Sequence, residues 1–282
     1  TEQLRESSVR RIEDIQAFAP NLFINRTPGI ASGAAITIRG VASLESDKSY
    51  EPSIGVVMDG MFLGTSSGVL LDNFDIERIE VLRGPQGTLF GKNTTGGILN
   101  VIRTPVSLNE FGVDASLTLG DFGRQDLKTV VQVPIIEDQL GVKVFAASIE
   151  HDGHVYNSYL DKMAGGDDKL NYGFTLLWEP NDQLSIKLHH EIMEDKSEQG
   201  VYVNRNPVGI LACTIHQIGF DPNEGCEKDA NDGPDLVESD GSNFSDNEYE
   251  STIFTVNYDT ENFLDTYIYG LRDLDDQNMQ EV

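Results

Sequence analysis

The sequence predicts a small α+β unit followed by an antiparallel β meander, and three observations carry that reading. Residues 1–105 mix helix and strand signals, with tight glycine turns between short apolar runs. From about residue 110 helix signals vanish, and segments of about ten residues alternate apolar and polar positions. The connectors between those segments are mostly short at one end and long at the other.

The elements follow in order. Ser7 and Ser8 precede VRRIEDIQAF, where Val9, Ile12, Ile15, Gln16 and Phe18 keep a helical period that Pro20 stops. AITIRGV (Ala35–Val41) sets Ile36 and Ile38 against Thr37 and Arg39, a short strand ended by Gly40. SIGVVMDGMFLG reads as a hairpin, with Asp59-Gly60 supplying the two positive-φ positions of a type I′ turn. FDIERIEVLRG and GGILNVIRTP give two more strands. Between them lie five glycines, Gly84, Gly87, Gly91, Gly96 and Gly97.

Seven alternating segments follow: GVDASLTLG, DLKTVVQVPII, LGVKVFAASIEHDG, LNYGFTLLWEP, QLSIKLHHEIME, YESTIFTVNYD and NFLDTYIYGLRD. Leu184, Ile186, Leu188 and Ile192 alternate with Ser185, Lys187, His189 and Glu191, so His189 and His190 cannot share a face. PIIEDQ, EPNDQ and DTEN are tight connectors, whereas HDGHVYNSYLDKMAGGDDK and Lys196 to Asn247 are long. Apolar-out, polar-in strands with loops lengthened at one end describe an outer-membrane barrel. A soluble or surface-exposed β-sandwich binding protein shares the period. It would require Leu117, Val131, Phe174 and Leu188 to pack against a second sheet.

Composition narrows the function. A net charge of −27, from 47 acids against 20 lysines and arginines, argues against nucleic acid, whose phosphates need basic surface. No stretch approaches the roughly 20 apolar residues of a spanning helix, so a membrane role must come through strands. Cys213 and Cys226 share one acidic segment; a local disulfide and a pair of free thiols are both open. The chain opens helix-like without a signal-peptide pattern, and both ends read as cut rather than finished.

Three motifs fall short of chemistry. Gly87 to Lys92 is one residue too short for a phosphate loop, and Asn93 replaces the required hydroxyl. GTSSG (Gly64–Gly68) fits a nucleophile elbow at Ser66, yet the five histidines, from His151 to His216, lie in the meander and its loops. Asp221, Asn223, Glu224, Asp229, Asp232 and Asp235 begin like a calcium loop. Gly225 falls one position early there and no twelfth-position Glu follows, so a solvated loop is the better reading.

DIERIEVLRGPQGTLFGKNTTGGILNVIRTP closely resembles the plug-domain segment of TonB-dependent outer-membrane receptors, with its LRGP, GxxLYG-like and GGxIN motifs. AITIRGV resembles that family's IRG strand, and IGVVMDGMFLG its VDG hairpin. Phe90 stands where Tyr is frequent, and no TonB box precedes the plug pattern. The resemblance implies a plug over 1–105, with 106–282 as about seven strands of an incomplete 22-stranded transmembrane barrel. It further implies active import of a scarce large solute, most often a ferric siderophore, powered by the TonB-ExbB-ExbD complex, with no covalent chemistry. No cofactor is expected beyond the transported iron chelate, and outer-membrane lipid is an expected partner.

The expected ligand contacts are Ser43, Glu45, Asp47, Lys48 and Tyr50 after IRG, and Phe62, Thr65 and Ser66 beyond the hairpin. Tyr202, Arg205 and His216 are secondary candidates. Arg39, Gly40, Asp59, Gly60, Arg83 and the five glycines form the plug's structural motif. The glycines are expected to supply positive φ or close backbone approach. Arg39 and Arg83 are expected to meet barrel carboxylates, some of them beyond Val282, because buried charges require partners.

Overall fold

The computed structural model of the chain describes residues 11–26, 33–42, 51–65, 67–69, 74–198, 236–237, 244–260 and 262–279. The predicted N-terminal helix is a single 3₁₀ segment, Ile12–Ala17. Its apolar spacing explains the difference: Ile12 and Ile15 are buried three residues apart and eclipse in a 3₁₀ turn, while Phe18 points to solvent. The Arg11 backbone N–H donates to Asp14 Oδ2 at 2.9 Å, closing the first turn.

Strands β1 (Leu22–Arg26), β2 (Ala34–Ile38) and β3 (Val41–Ala42) make one small antiparallel sheet. β4 (Ile54–Met58) turns through Asp59 and Gly60, at φ +47° and +88°, into β5 (Met61–Phe62), as the type I′ signal predicts. β6 (Ile76–Arg83) leads through the one-turn helix α1 (Gly87–Phe90) to β7 (Gly97–Arg103). In this second sheet, ordered β5-β4-β7-β6, β4 and β7 run parallel with Ile54 opposite Gly97.

β8 (Gly112–Leu119), β9 (Gln125–Ile136) and β10 (Leu140–His151) begin the meander. The long connector that follows holds a hairpin the sequence did not announce, β11 (Val155–Asn157) and β12 (Lys162–Ala164). β13 (Asp167–Asn181) and β14 (Leu184–Asp195) continue the wall; β15 (Leu236–Val237) pairs with β11; β16 (Phe244–Asp259) and β17 (Leu264–Met279) close the series. The seven long strands form one antiparallel sheet in chain order, with β8 and β17 at its two edges.

Register fixes the two faces of this wall. Val113, Val131, Val144, Phe174, His190, Thr252 and Leu271 stand in one cross-strand row on one side. That side is apolar yet open: Leu117 is 65% and Tyr267 67% exposed, and among the described residues no second sheet covers Phe174 or Leu188. The sandwich alternative therefore fails. A face of this kind is stable only against hydrocarbon.

The opposite face covers the N-terminal unit. Met193, Tyr249 and Ile253 from the wall join Ile12, Leu22, Ile38, Val56 and Leu99 in one core. His189 points into this interior, fully buried, and His190 to the lipid side, hydrogen-bonded to Thr252 at 2.9 Å.

Candidate functional site

The candidate functional surface is the seam between the N-terminal unit and the wall. Apolar contact there is interrupted by buried charge at three places. First, Arg103, the last residue of β7, pairs with Glu191 of β14; both side chains are nearly inaccessible. Asn171 Nδ2 donates to Glu191 Oε1 at 2.9 Å, and His189 Nε2 lies 3.2 Å from Oε2. His189 stacks on Phe145 at 5.7 Å, and Arg103 lies over the same ring at 5.6 Å. Burial opposes the Arg103 charge, but Glu191, Asp59 and Asp75 outweigh it and hold its pKa above the ordinary arginine value.

Second, Lys143 of β10, wholly buried, reaches Asp75 at 2.7 Å and the Thr104 carbonyl at 2.6 Å. Thr104 also hydrogen-bonds Asp75 through its hydroxyl. This knot sits where the chain passes from the N-terminal unit to the wall, so it anchors the linker on both sides.

Third, Asp167 at the start of β13 is met by Arg11, by Arg26 at 3.4 Å and by His151 Nε2 at 3.0 Å. The Gly153 N–H donates to His151 Nδ1 at 2.9 Å. A backbone N–H can only donate, so the ring proton belongs on Nε2, facing Asp167. Weaker ties include Lys187 to Asp59 at 3.7 Å.

The expected site residues sort unevenly on this frame. Ser43, Glu45, Asp47, Lys48, Tyr50, Ser66, Tyr202, Arg205, His216, Cys213 and Cys226 lie outside the described residues. So does the acidic stretch Asp221–Asp235. Thr65 is half-buried beyond the β4–β5 hairpin, its hydroxyl 3.5 Å from the Ser67 carbonyl. Phe62 instead lies back against β4: a Cβ at Gly55 would come within 2.6 Å of its ring. Among the described residues no group of three or more His, Cys, Asp or Glu is placed to hold a metal ion.

The arginine expectation is not met within this part of the wall. Arg39 occupies the exposed β2–β3 turn at φ +50°, and Arg83 is half-buried at the end of β6. Neither meets a wall carboxylate among the described residues. The ties fall instead to Arg11, Arg26 and Arg103, with a lysine of opposite origin, Lys143, in the wall. Lys143 hid in the sequence as one polar position in an alternating strand. The glycine expectation also holds only in part. Gly84, Gly91 and Gly97 have positive φ and a Cβ at Gly96 would strike Val41, but Gly87 opens α1 with neither constraint.

A family model described as "TonB-dependent Receptor Plug Domain" matches residues 1–98. The pesticin receptor of Yersinia pestis is 31% identical over 118 residues, 40% of this chain and 17% of that protein. The vitamin B12 transporter BtuB of Vibrio vulnificus is 26% identical over 116 residues, 40% of this chain and 18% of its own length. The crystal structure of the ferric yersiniabactin uptake receptor FyuA from Yersinia pestis superposes with a TM-score of 0.79 at 19% identity. That likeness covers 99% of this chain and 40% of FyuA, so the chain spans about two fifths of that receptor. An N-terminal unit with the plug motifs, seated on a wall of lipid-facing strands, agrees with all four. Residues 1–98 are a TonB-dependent receptor plug domain, and the strands that follow have the fold of the first part of such a receptor's outer-membrane barrel.

Proposed function

We propose that the whole receptor imports a scarce large solute across the outer membrane, a ferric siderophore before other cargo, with energy from the TonB-ExbB-ExbD complex. On this reading residues 1–105 are the plug and 106–282 the first part of the barrel. The observation that carries the proposal is the seam itself. The seam is not apolar throughout: it contains hydrogen-bonded ion pairs, Arg103–Glu191 and Asp75–Lys143. Buried pairs add little net stability over apolar packing of the same shape, but they fix one alignment sharply. Such a seam suits a plug that must dock in one register and then be displaced. Coupling to an energised partner requires only that the docked and displaced states differ in ligand affinity.

Thr65 and the residues after IRG, Ser43 to Tyr50, are the proposed plug contacts for the solute. The receptor performs no covalent step in this scheme. The test is uptake by cells in which the full-length receptor is the sole importer of its class. A panel of radio-iron siderophores should include at least one chelate that accumulates when TonB is present and not when it is deleted. Absence of any accumulated chelate would remove the siderophore assignment, and accumulation without TonB would remove the energy source.

A further inference from the structure

Arg272 of β17 stands apart from the other buried cations. Its guanidinium donates to three plug backbone carbonyls, Leu63 at 3.3 Å, Ser67 at 2.9 Å and Gly68 at 3.2 Å, and lies over the Tyr249 ring at 5.7 Å. Gly68 has φ +62°, and a Cβ there would strike both Arg272 and Tyr249, so the loop is shaped around this arginine. Arg272 forms no ion pair among the described residues; its charge is met by these carbonyl dipoles and the Tyr249 ring, with the Glu191 and Asp276 carboxylates acting on it from further off.

A carboxylate nevertheless waits in its row. Glu191 is opposite Ser251 on β16, and Ser251 is opposite Arg272 on β17. All three face the interior, and the middle residue is small. Two strand spacings put the outer two about 9–10 Å apart. That matches the summed reach of extended Arg and Glu side chains, about 10 Å for bonds of about 1.5 Å. Above Ser251 lies a small gap: Glu191, Ser251, Tyr249 and Arg272 line a cavity of ≈ 20 Å³, about one water's room, together with Leu63 and Gly68.

Withdrawal of the plug strips both wall charges at once. Arg103 leaves Glu191, and the carbonyls of Leu63, Ser67 and Gly68 leave Arg272. We infer that Arg272 has two positions, on the plug loop when the plug is docked and on Glu191 across Ser251 when Arg103 departs. The wall then carries its own replacement partner, which lowers the cost of separation because Glu191 is never left unpaired. Arg272 is in this sense a positioning residue for the loop containing Thr65. The inference rests on the reading that plug and wall separate in transport, but its test needs no transport.

In the full-length receptor, Arg103→Met removes the plug's hold on Glu191 without touching the 63–69 loop. Arg272 should then swing to Glu191, and amide hydrogen exchange in residues 63–69 should rise by roughly tenfold or more, the effect of losing a hydrogen bond to a charged group. Adding Glu191→Gln should return that exchange to the wild-type rate, because the second position is no longer attractive. Unchanged exchange in Arg103→Met, or an equal rise in the Glu191→Gln background, overturns the inference. Uptake measured on the same receptors reports separately on the import reading, which stands or falls by its TonB dependence.

Discussion

Asp75→Asn isolates one charge at the plug–wall seam. Asp75 sits at φ +53°, a conformation that Asn tolerates as well as Asp, so backbone strain does not enter. Only the negative charge beside Lys143 is lost, and both side chains of that pair are about 1% exposed. Breaking a buried pair from one side costs about 3–5 kcal/mol, because the surviving ion stays buried and uncompensated. Lys143 keeps the Thr104 carbonyl at 2.6 Å, which places the expected loss near the lower end. About 3 kcal/mol corresponds to roughly a 150-fold loss of protection for amides that exchange by plug unfolding. The assay is hydrogen exchange of β6 and β7 in the full-length receptor. Asp75→Asn with Lys143→Met should recover most of the loss, since an uncharged pair of similar volume needs no partner. A loss below about fivefold, or a double variant no better than the single, would refute the claim that this pair anchors the linker.

Other outcomes follow from the same contacts. Asp167→Asn releases Arg11 and Arg26, so trypsin should cut after both residues faster than in the parent receptor, while cleavage after Arg78 stays constant. Gly68→Ala places a methyl group against Tyr249 and Arg272 at positive φ and should destabilise the plug by about 1–3 kcal/mol, measured by urea unfolding. Hydrogen bonds from Arg78 and Asn100 hold the Glu80 carboxyl below its ordinary value. Its small contribution is therefore full above the unfolded pKa, about 4.3, and fades as pH falls through the lower folded value. Plug stability of Glu80→Gln should converge on the parent's in acid and fall short of it at neutrality. The 282-residue chain alone leaves β8 and β17 with open edges, so it should show no heat-modifiable barrel migration on gels.

The period-2 segments made the wall legible, because a strand with one lipid face must alternate. All seven long strands lie where the alternation puts them. Asp59-Gly60 was equally readable, since few dipeptides satisfy two positive φ angles in succession. The N-terminal helix was read too long because Ile12 and Ile15 fit either a 3.6 or a 3.0 period. The β4–β7 parallel pairing was invisible, as nothing local encodes which distant strand an apolar run will join. The same limit governs the seam. Lys143, Glu191 and Arg272 look like ordinary polar positions of an alternating strand, and only the fold reveals that each one faces a plug group. Family motifs drew attention to Arg39 and Arg83, whereas the ties to this part of the wall are made by Arg11, Arg26 and Arg103.

The central claim, that the plug must move against this wall for the receptor to work, is open to one direct test. A Cβ added at Gly270 of β17 lies 3.4 Å from Cβ of Met61 in the plug, close to the ~3.5–4.5 Å that a disulfide spans. Met61→Cys with Gly270→Cys, in a full-length receptor lacking Cys213 and Cys226, should cross-link on oxidation and stop uptake while leaving solute binding intact. Reduction should restore uptake. A cross-linked receptor that still imports at the reduced rate would contradict the account.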